Sequence, residues 1–197
     1  VPVEGDYYIP RITFTTNSDQ LAVMTLNRQQ NVFNMYYVNP KSGVSRLIVR
    51  DENKCYVDSE WLTSIHFNPS GFTYVSEQDG YSHIYLYSPT GVMQRQVTKG
   101  NWDVTRLIGY DDATKVVYYE SAEESPLRRS VYKIDQKGVK TKLSEGEGTN
   151  SADFSANYAY FVNNYSNANT PAVITVNETK SKKVLRVLQD NAALREK

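Results

Sequence analysis

The feature that most constrains this 197-residue chain is that it repeats. Four successive stretches each read as strand, turn, strand, turn, strand, turn, strand, and such units must stack on one another because none can bury its apolar face alone. In the first, Arg11 to Thr15, Gln20 to Asn27, Val32 to Val38 and Ser45 to Arg50 are the strands, and Asn39-Pro40-Lys41-Ser42-Gly43 is a turn by composition. The second has strands at Thr63 to Phe67, Phe72 to Glu77, Ser82 to Tyr87 and Met93 to Thr98, joined by Asn68-Pro69-Ser70-Gly71, Asp79-Gly80 and Ser88-Pro89-Thr90-Gly91. Asp79-Gly80 predicts a two-residue type I′ hairpin, which needs positive φ at both central residues. The third runs Thr105 to Tyr110, Lys115 to Ser121, Ser130 to Asp135 and Val139 to Leu143, with Gln136-Lys137-Gly138 as its last turn. The fourth is Ala152 to Ser155, Tyr158 to Asn163, Ala172 to Val176 and Lys183 to Leu188.

The turn glycines Gly43, Gly91 and Gly138 recur at about 47 residues, within the roughly 40 to 50 that one four-stranded propeller blade occupies. The chain therefore reads as all-β: a β-propeller of about four four-stranded antiparallel blades, at roughly 10–50, 63–100, 104–146 and 151–189. Four blades make a small propeller or half of a larger one, and composition leaves both open. Sixteen tyrosines among many Val, Ile, Thr and Phe suit half-buried pleated surfaces. Along Tyr81 to Tyr87 one face carries Tyr81, His83, Tyr85 and Tyr87 and the other Ser82, Ile84 and Leu86, as expected of a blade packed on both faces. Residues 190–197 differ: Asp190 or Asn191 can cap a helix over Ala192 to Lys197, marking an exit from the propeller.

Lys plus Arg equals Asp plus Glu at 22 each, so no broad charge attracts nucleic acid or an anionic membrane surface. No apolar run approaches the roughly 20 residues that cross a bilayer, and Val1 to Tyr8 lacks the pattern of a signal peptide. A single cysteine, Cys55, forms no internal disulfide, and two histidines are too few for a zinc set. The expectations are no metal, no cofactor, no nucleic-acid partner and no membrane insertion.

Several stretches go beyond blade logic. Ser76-Glu77-Gln78-Asp79-Gly80-Tyr81-Ser82-His83-Ile84-Tyr85-Leu86-Tyr87 resembles the S-E-x-[DE]-G-[YF]-x-H-[IL]-Y-x-Y stretch of dipeptidyl peptidase IV family propellers. Thr98-Lys99-Gly100-Asn101-Trp102-Asp103-Val104 is similar to that family's T-[KR]-G-x-W-[DE]-V. Leu185-Arg186-Val187-Leu188-Gln189-Asp190-Asn191-Ala192-Ala193-Leu194 resembles its L-x-V-L-[ED]-D-N-x-x-L, which leads from propeller to hydrolase domain. Leu127 to Ile134 and Gly5 to Pro10 are further, weaker matches. The resemblance implies the last four blades of an eight-bladed propeller, 190–197 as the start of a linker toward an α/β-hydrolase domain, and a parent enzyme that releases X-Pro or X-Ala dipeptides from peptide N-termini with a Ser, Asp, His triad. No Gly-x-Ser-x-Gly elbow occurs in this sequence, so no catalytic residue is assigned. The propeller would gate peptide access, and the parent would be exported, periplasmic or extracellular, with any signal upstream. Cut blade faces predict self-association.

The family grips the substrate's charged N-terminus with adjacent glutamates on a short helical segment earlier in the propeller. Glu123-Glu124 lies instead between the second and third strands of the third unit, before Ser125-Pro126, and reads as a solvated loop pair. His83, in an aromatic stripe, reads as a hydrogen-bonded structural imidazole, and His66 as an exposed first-strand residue. Cys55 has carboxylates but no histidine in its local sequence and reads as a free loop thiol. Trp61 and Trp102 stand near unit boundaries, where bulky side chains pack between blades. Trp61 is also the one candidate for substrate contact, in a region where some relatives send residues toward the pocket, although the loop before it is short here. Asn164-Tyr165-Ser166 and Asn177-Glu178-Thr179 match the short N-glycosylation pattern. A stand-alone scaffold propeller binding protein partners is the alternative function. A glycan-binding propeller ranks below it, lacking repeated Asp boxes and convergent carboxylates.

Overall fold

A computed structural model describes residues 5–195, which carry sixteen strands and two one-turn helices. Val1 to Glu4, the start of the stretch read against a signal peptide, and the last two residues of the expected terminal helix lie outside the described residues. The strands form four separate four-stranded sheets, each antiparallel and each taking its strands in sequence order. Short turns permit only that meander, since antiparallel neighbours need no crossover. The chain is therefore all-β and built of propeller blades. It divides between Lys99 and Gly100 into two compact units of two blades each.

The first blade comprises β1 (Tyr7–Phe14), β2 (Leu21–Asn27), β3 (Val32–Val38) and β4 (Ser45–Glu52). A helical turn, α1 (Glu60–Thr63), precedes the second blade of β5 (His66–Asn68), β6 (Gly71–Ser76), β7 (His83–Tyr87) and β8 (Met93–Gln96). The pleat sends Ala22, Met24 and Leu26 of β2 and Phe33, Met35 and Tyr37 of β3 to one face, where they meet Leu62 of α1, Ile65, and Phe72 and Tyr74 of β6. Phe33 and Tyr74 lie 5.6 Å apart between ring centroids, and Phe72 stacks on Tyr87 at 4.9 Å. Each such buried apolar side chain contributes about 1.5–3 kcal/mol. The blades are also tied from the first strand: Arg11 of β1 donates to the carbonyls of Leu62, Thr63 and Ile65, just before β5, at 2.8, 3.0 and 3.4 Å.

The second unit repeats the scheme with β9 (Val104–Asp111), β10 (Val116–Ser121), β11 (Ser130–Ile134) and β12 (Lys140–Lys142), then β13 (Thr149–Phe154), β14 (Tyr160–Asn167), β15 (Thr170–Glu178) and β16 (Val184–Gln189). Tyr118, Val131 and Leu143 of one blade pack on Ala152 and Phe161 of the next. Arg106 of β9 again reaches the following first strand, meeting Ser151 Oγ and the Ala152 carbonyl at 3.4 Å and Asp153 Oδ1 at 2.8 Å. Beneath it Glu120, only 8% exposed along its side chain, accepts from Arg106, Ser151 Oγ and the Ala152 amide through one oxygen. After β16, the Ala192 amide bonds Asp190 Oδ1 at 3.1 Å and opens a four-residue α2 (Ala192–Arg195).

One turn recurs in all four blades, between the third and fourth strands. The amide of Asn39, Ser88, Asp135 or Glu178 donates to the carbonyl of Val44, Val92, Val139 or Lys183, respectively. The residue before each acceptor has a left-handed backbone: Gly43 at φ 71°, Gly91 at 85°, Gly138 at 84°, and Lys182 at 60°. Glycine takes this conformation freely, whereas an L side chain there costs about 1–2 kcal/mol.

Two local expectations are corrected. Asp79-Gly80 does not form a type I′ hairpin: the ladder between β6 and β7 ends at Ser76 opposite His83, and in the six-residue connection only Gly80, at φ 98°, has positive φ. The Gly80 amide closes a turn onto the Glu77 carbonyl at 2.8 Å, and Gln78 donates its amide to Ser76 Oγ, so local hydrogen bonding widens the loop. Thr63 does not begin a strand. Asp58 Oδ1 accepts from the Glu60 amide and Thr63 Oγ1 donates to the Glu60 carbonyl, winding 60–63 into α1 and leaving β5 three residues.

Candidate functional site

In the first unit, polar groups concentrate where the end of β4 and α1 face β6. Asp51 accepts from Tyr74 Oη at 2.8 Å and Ser76 Oγ at 2.6 Å. Burial, and then the Asp51 charge, hold the Tyr74 hydroxyl well above the usual phenol range, so it stays a donor. Glu77 accepts from Asn53 Nδ2 and Ser82 Oγ. Trp61 of α1 is half-buried beside these groups, and its Nε1 is buried without a hydrogen-bond acceptor among the described residues. Trp61, Asp51, Asn53, Asp58, Tyr74 and Glu77 share a cavity of about 10 Å³, room for about one water and nothing larger. The arrangement can hold a solvent molecule against the indole N–H. It supplies no nucleophile with a base. Cys55, in the adjoining loop, is exposed and free.

The histidines are separate. His83 on β7 is fully buried, with Nδ1 3.0 Å from Thr98 Oγ1, which also accepts from the Ile84 amide, and Nε2 4.0 Å from Asp79. His66 on β5 is exposed, and partial desolvation followed by the Arg11 charge lowers its pKa below the ordinary value. No group of three His, Cys, Asp or Glu side chains suited to a metal forms among the described residues.

Glu123 and Glu124 are not the solvated pair expected from their loop position. Glu123 is 9% exposed along its side chain and pairs with Lys140 at 2.6 Å, while Glu124 meets Lys142 at 2.7 Å and Ser130 Oγ at 3.2 Å. The Lys142 contact draws the Glu124 pKa below the usual carboxylate range. Lysines alternating on β12 fall opposite the loop, a pairing across strands that loop composition does not reveal. Lys140 also lies 5.8 Å from the Trp102 ring and 5.5 Å from that of Tyr132, and Trp102 stacks on Tyr119. Of the two glycosylation patterns, Asn164 is exposed, whereas Asn177 is buried with Nδ2 bonded to Thr175 Oγ1 at 2.8 Å and so is closed to modification in the folded chain.

Comparisons with known proteins agree with this architecture. The family model of the dipeptidyl peptidase IV N-terminal region matches residues 2–172. The crystal structure of Porphyromonas gingivalis dipeptidyl peptidase 4 superposes with a TM-score of 0.95 at 60% identity, covering 100% of this chain and 28% of that one. A putative dipeptidyl aminopeptidase IV from Bacteroides ovatus shares the fold, with a TM-score of 0.78 at 24% identity over 94% of this chain and 29% of its own. Dipeptidyl peptidase 4 of Trichophyton rubrum is 29% identical over 98% of the chain, and this chain spans 26% of its length. The chain thus covers about a quarter of the curated relatives it matches. With the family model spanning most of the sequence, this chain belongs to the dipeptidyl peptidase IV N-terminal region family.

Proposed function

We propose that the chain is a non-catalytic propeller segment of a dipeptidyl peptidase IV-like serine exopeptidase, one that releases X-Pro or X-Ala dipeptides from peptide N-termini. The blades form part of the wall that gates substrate access, with the chemistry in a hydrolase domain elsewhere in the protein. The observation that carries this reading is the 60% identity over the whole chain to a dipeptidyl peptidase 4 of known structure. The absence of a nucleophile, base and orienting acid brought together among the described residues accords with it. The test is hydrolysis of Gly-Pro-nitroanilide by this chain and by the product of the full reading frame that carries it. Activity confined to the longer protein is expected; hydrolysis tracking the chain itself would overturn the assignment of chemistry elsewhere.

Self-association of the isolated chain belongs to the same reading. On the first blade, the face opposite the core presents Ile12 and Phe14 at 57% and 66% exposure, with Leu47 at 46%. On the last, Tyr160 and Val162 of β14, on the face away from Phe161, are 47% and 38% exposed. Apolar sheet faces of this kind ordinarily pack against another surface. Light scattering behind a sizing column should give a dimer or larger species, and a monodisperse monomer would refute it.

A further inference from the structure

A cavity of the second unit lies on the last blade. Along β14, β15 and β16 the pleat brings Phe161 opposite Asn177, Asn163 opposite Thr175, Tyr165 opposite Val173, and Asn177 opposite Val184 on one face. The inner part of that face is covered by Tyr118, Val131 and Leu143. The outer part is not, because β12 ends after three residues, at Lys142. What remains is a cavity of about 250 Å³, floored by Phe161, Val173 and Val184, with Leu143 on the neighbouring blade. That is slightly below the ~300 Å³ at which pockets for drug-sized molecules begin.

Two charges of opposite sign line it, Glu145 and Lys182. Both are exposed, and neither has an ion-pair or side-chain hydrogen-bond partner among the described residues. Acids of the preceding blade and its loops differ: Glu147 is taken by Arg128, Glu124 by Lys142, and Glu123 by Lys140. A second observation singles out Lys182. It occupies the left-handed position that glycine fills in the same turn of the other three blades. The fold needs no side chain there, and the one present strains its backbone to stand beside the cavity. Across the opening, Gly146 at φ 81° admits the Tyr165 ring, whose Cε2 would lie 2.9 Å from a Cβ on residue 146.

We propose that this cavity is a binding site for an apolar amino-acid or dipeptide zwitterion. Its ammonium is taken by Glu145, its carboxylate by Lys182, and its aliphatic or aromatic side chain by Phe161, Val173, Val184 and Leu143. One charge of each sign selects a ligand that carries both, and an apolar floor selects against a polar side chain.

The test is saturation-transfer NMR and calorimetry on the purified 197-residue chain, with L-leucine, L-leucyl-L-leucine and N-acetyl-L-leucine methylamide as probes. Binding of at least one zwitterion near about 1 mM is expected, and the two separate a free amino acid from a dipeptide as the preferred source of the charges. The blocked amide should bind at least about tenfold more weakly, as should leucine or its dipeptide to Lys182→Gly, Lys182→Met or Glu145→Gln. Lys182→Gly restores the residue three other blades use, so its loss of binding cannot be assigned to misfolding, and Lys182→Met removes the charge while keeping a side chain in the turn. Equal binding of the blocked amide, no binding of either zwitterion at about ten times that concentration, or unchanged affinity in the three variants would each overturn the proposal.

Discussion

Glu120 offers the sharpest test of how the second unit is held together. One of its oxygens accepts from the Ala152 amide at 3.0 Å, from Ser151 Oγ at 3.1 Å and from Arg106 Nη1 at 3.3 Å. Glu120→Ala removes all three, and the losses are unequal. Ala152 is 1% exposed, so its N–H is left buried without an acceptor, a cost of about 1–3 kcal/mol. Ser151 turns to solvent with a loss of about 0.5–1 kcal/mol, and Arg106 keeps Asp153. The sum is about 3 kcal/mol, a large share of the 5–15 kcal/mol typical of a domain. The two tryptophans lie one in each unit, so Trp61→Phe leaves Trp102 as the fluorescent reporter of the second. Urea unfolding in that background should show the midpoint falling with little change in slope. Asp153→Asn, at a side chain 81% exposed, should cost under about 1 kcal/mol. A Glu120→Ala loss below about 1 kcal/mol, or an Asp153→Asn loss equal to it, would refute the argument that the buried amide carries the effect.

Gly109→Ala places a Cβ 2.2 Å from Tyr158 Oη, in a ring stacked on Tyr118 at 4.5 Å, and should destabilise by about 1–3 kcal/mol; Tyr158→Phe should recover part of that loss in the double variant, read by the same urea titration. Lys182→Gly should be neutral or stabilising by about 0.5 kcal/mol, relief of the left-handed backbone outweighing the added freedom of the unfolded chain, and thermal melting of the variant checks it. His66 has its pKa lowered in the fold, so the unfolded chain binds the extra proton. Its contribution is therefore complete above about pH 6.5 and is lost as pH falls from there through the folded pKa; urea midpoints from pH 7.5 to 5 should lose that component in His66→Gln. Glu124, lowered by Lys142, contributes above the ordinary carboxylate range and loses its share as pH falls below it, so Lys142→Met should flatten the acid limb of the same profile.

The blades were legible because their period is written in turn chemistry. Gly43, Gly91 and Gly138 mark one hairpin at one place in three blades, and the fourth is found by counting even though Lys182 breaks the composition rule. Strand centres were equally readable, since β2, β6 and β10 are rich in apolar and aromatic residues and nearly all buried. Where reading failed, side chains competed with the ladder: Ser76 and Gly80 reshaped a loop that Asp79-Gly80 alone would have made a tight hairpin, and Asp58 turned Glu60–Thr63 into a helix. The ion pairs of Glu123 and Glu124 were hidden because Lys140 and Lys142 lie 17 and 18 residues away and meet the loop only through strand order. The cavity beside Lys182 had a faint signal, a lysine where the repeat calls for glycine, but its volume depends on β12 being short, and strand length at an outer edge is weakly encoded.

In both units an arginine of a first strand makes three side-chain bonds into the next blade, Arg11 to carbonyls just before β5 and Arg106 to β13. Arg46 on the fourth strand β4 makes a single one, to the Thr90 carbonyl at 3.2 Å. Mechanically, each pair of blades is bound like two leaves at a spine. Stress that shears one leaf over the other concentrates at the more weakly tied margin, so opening begins at β4, β8, β12 and β16 and runs inward. Amide hydrogen exchange should then grade across each sheet, fastest in the fourth strand and slowest in the second, with the arginine-held edge outlasting the margin.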